Sequence, residues 1–115
     1  MQSGYSSENI PGYNGFRIKR TTADGIKEEF GRVSFSRIGF SQQFGNLYYN
    51  TAQPYSIPLG YSYSEIYVIY LQAMSSGSLL GTTISSWDSG NIKYWLYCGK
   101  ASSADLELAY HVIGR

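Results

Sequence analysis

The sequence holds one histidine, His111, and that sets the limit on acid–base chemistry. A Ser/His/Asp relay would have to use it as the base. It sits in an alternating segment near Arg115, beside no Gly-x-Ser-x-Gly elbow, so the expectation is no catalytic residue and no enzyme. If three copies met at a symmetry axis, three imidazoles would repel below about pH 6.5 or take up a metal. Within one chain no metal site is read.

The eight carboxylates are Glu8, Asp24, Glu28, Glu29, Glu65, Asp88, Asp105 and Glu107. A glycosidase needs two, about 5–9 Å apart across a cleft. Adjacent Glu28 and Glu29 point to opposite faces of a strand. Asp24 and Asp88 stand in turns, where the carboxylate bonds the backbone. All eight are expected as solvated or turn charges, and no calcium-loop spacing occurs. Cys98 alternates with Tyr94 and Leu96, the pattern of a buried thiol. No glycine-rich phosphate loop is present, so no cofactor is expected.

Aromatic side chains are the remaining chemistry. Rings stack on the apolar faces of sugars, and neighbouring amides, carboxylates and hydroxyls bond the hydroxyl rim. The candidate ligand-binding residues are Tyr48, Tyr49, Asn50, Tyr55, Tyr61, Tyr63, Trp87 and Asp88, all at or near expected loops.

Composition bounds the class. The 115 residues suit one domain. Charged residues are 15% with net charge +1, which disfavours a polyanionic partner such as nucleic acid. Arg17, Lys19, Arg20, Lys27 and Arg32 form one basic cluster, expected to be answered across the strands by Glu28 and Glu29. No apolar run approaches the roughly 20 residues that span a bilayer, so no membrane insertion is expected, and the first residues lack the basic and apolar regions of a secretory signal. A single cysteine excludes an internal disulfide, leaving packing or assembly to stabilise the chain.

The elements that must carry these residues read as strands. Residues 1–14 are polar and Gly-containing and read as an arm or linker; residues 15–115 read as one sandwich. Gly15–Thr21 alternates, and Asp24-Gly25 predicts a type I′ hairpin turn. The return strand, from Ile26 to about Ser36, changes parity at Gly31, which predicts a bulge there. A crossing over 37–43, a short strand at 44–50 and a loop over 51–63 follow. Ser64–Ala73 carries bulk on both faces, so a second chain or a loop must cover it. Ile66, Tyr67, Val68, Ile69 and Leu71 are therefore the expected oligomer interface. Strands at Leu79–Trp87, Asn91–Lys100 and Leu106–Arg115 complete the set. Ala101–Leu108 carries the one weak helical pattern. The fold expectation is all-β: an antiparallel β-sandwich, jelly-roll-like, of about seven strands.

Two stretches resemble a known family. Phe16, Ile18, Lys19, Arg20, Asp24, Gly25, Glu28, Phe30 and Gly31, and the closing Tyr110-His111-Val112-Ile113-Gly114-Arg115, resemble the C-terminal distal domains of tail fibre or minor structural proteins from phages and prophages of Gram-positive gut bacteria. Phe16 and Phe30 stand where those domains commonly have Trp, and Arg20 replaces an aromatic. The resemblance implies a virion component made in the bacterial cytoplasm. It further implies a homotrimeric fibre tip that binds a bacterial surface glycan, such as cell-wall polysaccharide. A structural trimerisation or capping domain without a ligand is the alternative.

Overall fold

The computed structural model describes residues 4–50, 54–75 and 79–115. These residues form ten strands and no helix: β1 Ser6–Asn9, β2 Asn14–Thr21, β3 Lys27–Phe40, β4 Gln42–Phe44, β5 Leu47–Tyr49, β6 Tyr55–Pro58, β7 Ile66–Met74, β8 Leu80–Trp87, β9 Asn91–Cys98 and β10 Ser102–Gly114. All pairings are antiparallel. The first sheet has the order β1-β2-β3-β10-β7. In the second, β9 is central: β8 pairs along one side, while β5 and β6 share the other, β5 at Tyr97–Cys98 and β6 at Asn91–Tyr94. Two antiparallel sheets face each other, as a β-sandwich requires.

Strict alternation on β9 and β10 builds the core. Ile92, Tyr94, Leu96 and Cys98 point inward from one sheet; Leu106, Leu108, Tyr110 and Val112 answer from the other. Ile57, Val33, Phe40 and Ile10 complete it. Cys98 is buried, its Sγ 3.6 Å from the Ser102 hydroxyl. The weak helical pattern at 101–108 loses to this alternation, because Leu106 and Leu108 must share one sheet face.

Several expectations are corrected. The expected arm folds onto the first sheet as β1, and Ile10 enters the core. The Asp24-Gly25 turn is a three-residue loop, not type I′. Gly25 N–H donates to Thr22 C=O, and only Gly25 takes positive φ (87°), the signature of a type I turn closed by a left-handed residue. Gly31 carries no bulge: β3 pairs in register through it. The slip lies at Ser36–Arg37, where β10 shifts between Ala104 and Leu106 and Arg37 has φ 53°. The parity change in the sequence arises because Glu29, not Phe30, faces inward in line with Val33. Gly31 is needed for space, since a Cβ there would lie 2.7 Å from the Tyr110 ring.

β7 is the edge strand of the first sheet, and within one chain its outer face is uncovered. Ile66, Ile69 and Leu71, expected at an oligomer interface, pack on the chain's own core. Tyr67 is the extra residue at a register slip, partly exposed, and accepts a hydrogen bond from Arg115 Nε. Val68 alternates with these and lies on the outer face with Tyr70, which is 67% exposed.

Candidate functional site

The outer face of the second sheet carries an aromatic groove of about 490 Å³, lined by Phe44, Leu47, Tyr49, Thr83, Trp95, Leu96 and Tyr97. Each strand delivers its part through period-two alternation. β9 turns Tyr94, Leu96 and Cys98 inward, so Trp95 and Tyr97 must point out. Tyr49 pairs with Tyr97 from β5, and Thr83 pairs with Trp95 from β8. The β4–β5 hairpin turns through Gly45 (φ 61°) and raises one wall, with Phe44 77% exposed. Gly81, opposite Tyr97, leaves the floor open: a Cβ there would stand 2.4 Å from the Tyr97 ring. Tyr49 meets Trp95 edge to face, centroids 5.5 Å apart. Such an edge contact restrains the planes of both rings.

Among the described residues no Asp, Glu, Lys, Arg or His lines this groove. It offers ring faces, a threonine hydroxyl and phenol hydroxyls. That set suits a neutral ligand with apolar C–H faces and a hydroxyl rim. Among the described residues no cluster of His, Cys, Asp and Glu is arranged to hold a metal ion.

The residues singled out from sequence do not converge. Tyr49 lines the groove. Tyr48, its neighbour, turns inward against the core. The Asn50 side-chain amide donates to Gly39 C=O at 2.8 Å. Tyr55 lies in a ring stack between Phe35 (5.5 Å) and Tyr94 (5.8 Å). Trp87 is exposed, but at the far end of β8 from Gly81. Asp88 closes the β8–β9 turn, its Oδ1 accepting from Gly90 N–H (2.9 Å) and Asn91 N–H (2.8 Å), the turn role expected for it. Trp95 and Tyr97 lie mid-strand, away from the loops in which the sequence-predicted ligand residues fall. The signal was present: two large rings on the outward parity of β9.

Tyr61 and Tyr63 belong to a second constellation, between the sheets, centred on Glu29. This carboxylate is fully buried. It accepts from Gly60 N–H (2.9 and 2.8 Å), Tyr61 N–H (3.4 Å), Tyr63 Oη (2.8 Å) and Tyr110 Oη (2.7 Å), with Arg17 Nη1 at 3.5 Å. Arg17 is itself 2% exposed; it donates to Pro58 C=O (2.6 Å) and, through Nε, to Glu8 (2.9 Å). Burial, and then the Glu29 charge, push the phenols of Tyr63 and Tyr110 far above their ordinary range. Both therefore stay protonated donors. Glu29 thus overturns the expectation that every carboxylate is solvated. Desolvating a carboxylate costs several kcal/mol, and only a full set of donors offsets it. Here that set fastens the 58–63 segment to the first sheet. Lys19 reinforces it, donating to Gly60 C=O (3.1 Å) and lying 4.9 Å over the Tyr61 ring. Tyr63 is 3% exposed and its hydroxyl is taken, so it is a fastener rather than a docking ring.

No family model and no curated protein matches this chain. A solved structure with a similar fold is an N-truncated R1-type pyocin tail fibre. It superposes on 100% of this chain and 87% of its own, with a TM-score of 0.62 at 8% identity. At that identity the likeness is one of fold.

Proposed function

We propose that the chain is a non-enzymatic tail-fibre domain, part of a virion, that recognises a bacterial surface glycan as a homotrimer. The aromatic groove carries this reading: ring faces without charge, held rigidly by a sandwich, fit a neutral sugar better than a charged or nucleic-acid ligand. The pyocin fibre, similar in fold, supports the tail-fibre setting, as does the resemblance at residues 16–31 and 110–115. A second reading, a structural trimerisation domain without its own ligand, draws on the apolar outer face of the first sheet.

The test is adhesion to purified bacterial cell walls. Trp95→Ala should weaken adhesion by about tenfold or more with the fold retained by circular dichroism. Trp87→Ala, remote from the groove, should retain it. Full adhesion by Trp95→Ala would dismiss the groove. Failure of the unaltered trimer to adhere to any wall or glycan panel would favour the structural reading.

A further inference from the structure

We infer that the outer face of the first sheet is where copies of this chain meet, an inference that rests on the homotrimer reading above. The register lays side chains on this face in rows that cross the sheet. Ile18 pairs with Phe30, Phe30 with His111, and His111 with Tyr70, so one row runs from β2 to β7. Phe30 and His111 meet edge to face, centroids 5.7 Å apart. Each flanking row carries an arginine in an ion pair, the second reaching diagonally into the row beyond. Arg20–Glu28 (3.1 Å) lies on one side, continued by Ile113 and Val68. Arg32–Glu107 lies on the other, beside Phe16 and Ala109.

An apolar and aromatic centre bordered by polar groups is the anatomy of a protein interface. The charges decide the occupant. Both cations are matched by anions on the same face, and Glu28 also takes His111 Nε2 at 2.8 Å. The face therefore presents no excess charge to a charged partner, and a second copy covers it without burying an unpaired ion. At about 4.8 Å between strands and about 3.3 Å per residue along β10, the face covers up to roughly 800 Å², about half the total that a standard interface buries, and around a three-fold axis each copy would share it between two neighbours. The exposure of Phe16 (50%) and Tyr70 (67%) fits a face that is bare only in the single copy.

The experiment is sedimentation of the full chain across concentrations, with Tyr70→Glu and Phe16→Glu. Both positions are exposed, so the fold should survive, as near-ultraviolet circular dichroism would show. Each should raise the concentration needed for assembly by about tenfold or more, while Trp95→Ala leaves it unchanged. Assembly of both glutamate variants at wild-type concentration would overturn this face while leaving the trimer reading standing. A wild-type chain that stays single at high concentration would overturn both. If a glutamate variant loses its dichroism, Tyr70→Ser decides in its place by the same readout.

Discussion

Glu29 shows how one side chain can set the conformation of a distant segment. Its oxygens gather the Gly60 and Tyr61 amides and the hydroxyls of Tyr63 and Tyr110. Removing the carboxylate leaves the Gly60, Tyr61 and Tyr63 donors buried without their acceptor and takes one anion from Arg17, which keeps Pro58 C=O and Glu8. Glu29→Ala should therefore cost about 3–5 kcal/mol, read as a lower urea midpoint. Tyr63→Phe, which deletes one donor, should cost about 1–2 kcal/mol. The partly exposed carboxylates act through pH. Lys19 holds the Glu8 carboxyl below its ordinary 4.5, and His111, then Arg20, do the same for Glu28. A folded pKa below the unfolded one means stabilisation that is complete above about pH 5 and lost as pH falls through the carboxylate range. Urea midpoints should fall below about pH 5, and the combined Glu8→Gln, Glu28→Gln chain should fall less steeply. An equal slope would place the acid sensitivity elsewhere. Glu29 was illegible in the sequence for a physical reason. An acid on the inward parity reads as a change of face, and Phe30 beside it supplies a false apolar marker. Cys98 and Asp88 were legible, since alternation buries the one and turn chemistry engages the other.

Strands with strict alternation, β9 and β10, could be read directly because one face is wholly apolar. The short ones could not. β4, β5 and β6 have three or four residues each, too few for a period to show, and their pairing is fixed by contact with β9 rather than by local preference. The groove shares this history: Trp95 and Tyr97 come from a legible strand, while Phe44 and Leu47 arrive on a hairpin the sequence conceals. Glycines tune these elements. Gly31→Ala would drive a methyl into the Tyr110 ring and the Phe16 carbonyl, 2.7 and 2.9 Å from the new Cβ. It should cost about 1–3 kcal/mol, seen as a lower melting temperature. Gly81→Val would instead meet the far end of the Tyr97 ring and push it across the groove floor. Adhesion to cell walls should fall about tenfold, equivalent to about 1.4 kcal/mol, with the fold intact by circular dichroism; unchanged adhesion would separate Tyr97 from the ligand.

At the scale of the molecule, the sandwich is elongated, 51 × 22 × 20 Å, with an aromatic groove outside one sheet and a charge-matched apolar face outside the other. Recognition and assembly can thus be altered separately, which is why Trp95→Ala and Tyr70→Glu should each leave the other's readout untouched. β10 lies between β3 and β7 and bonds to both along most of its length. On the ribosome, β3 and β7 emerge with bare edges and stay so until residues 102–114 leave the exit tunnel. The first sheet therefore cannot close before residues 102–114 emerge, and nascent chains halted before Ser102 should be protease-sensitive and prone to stick to one another.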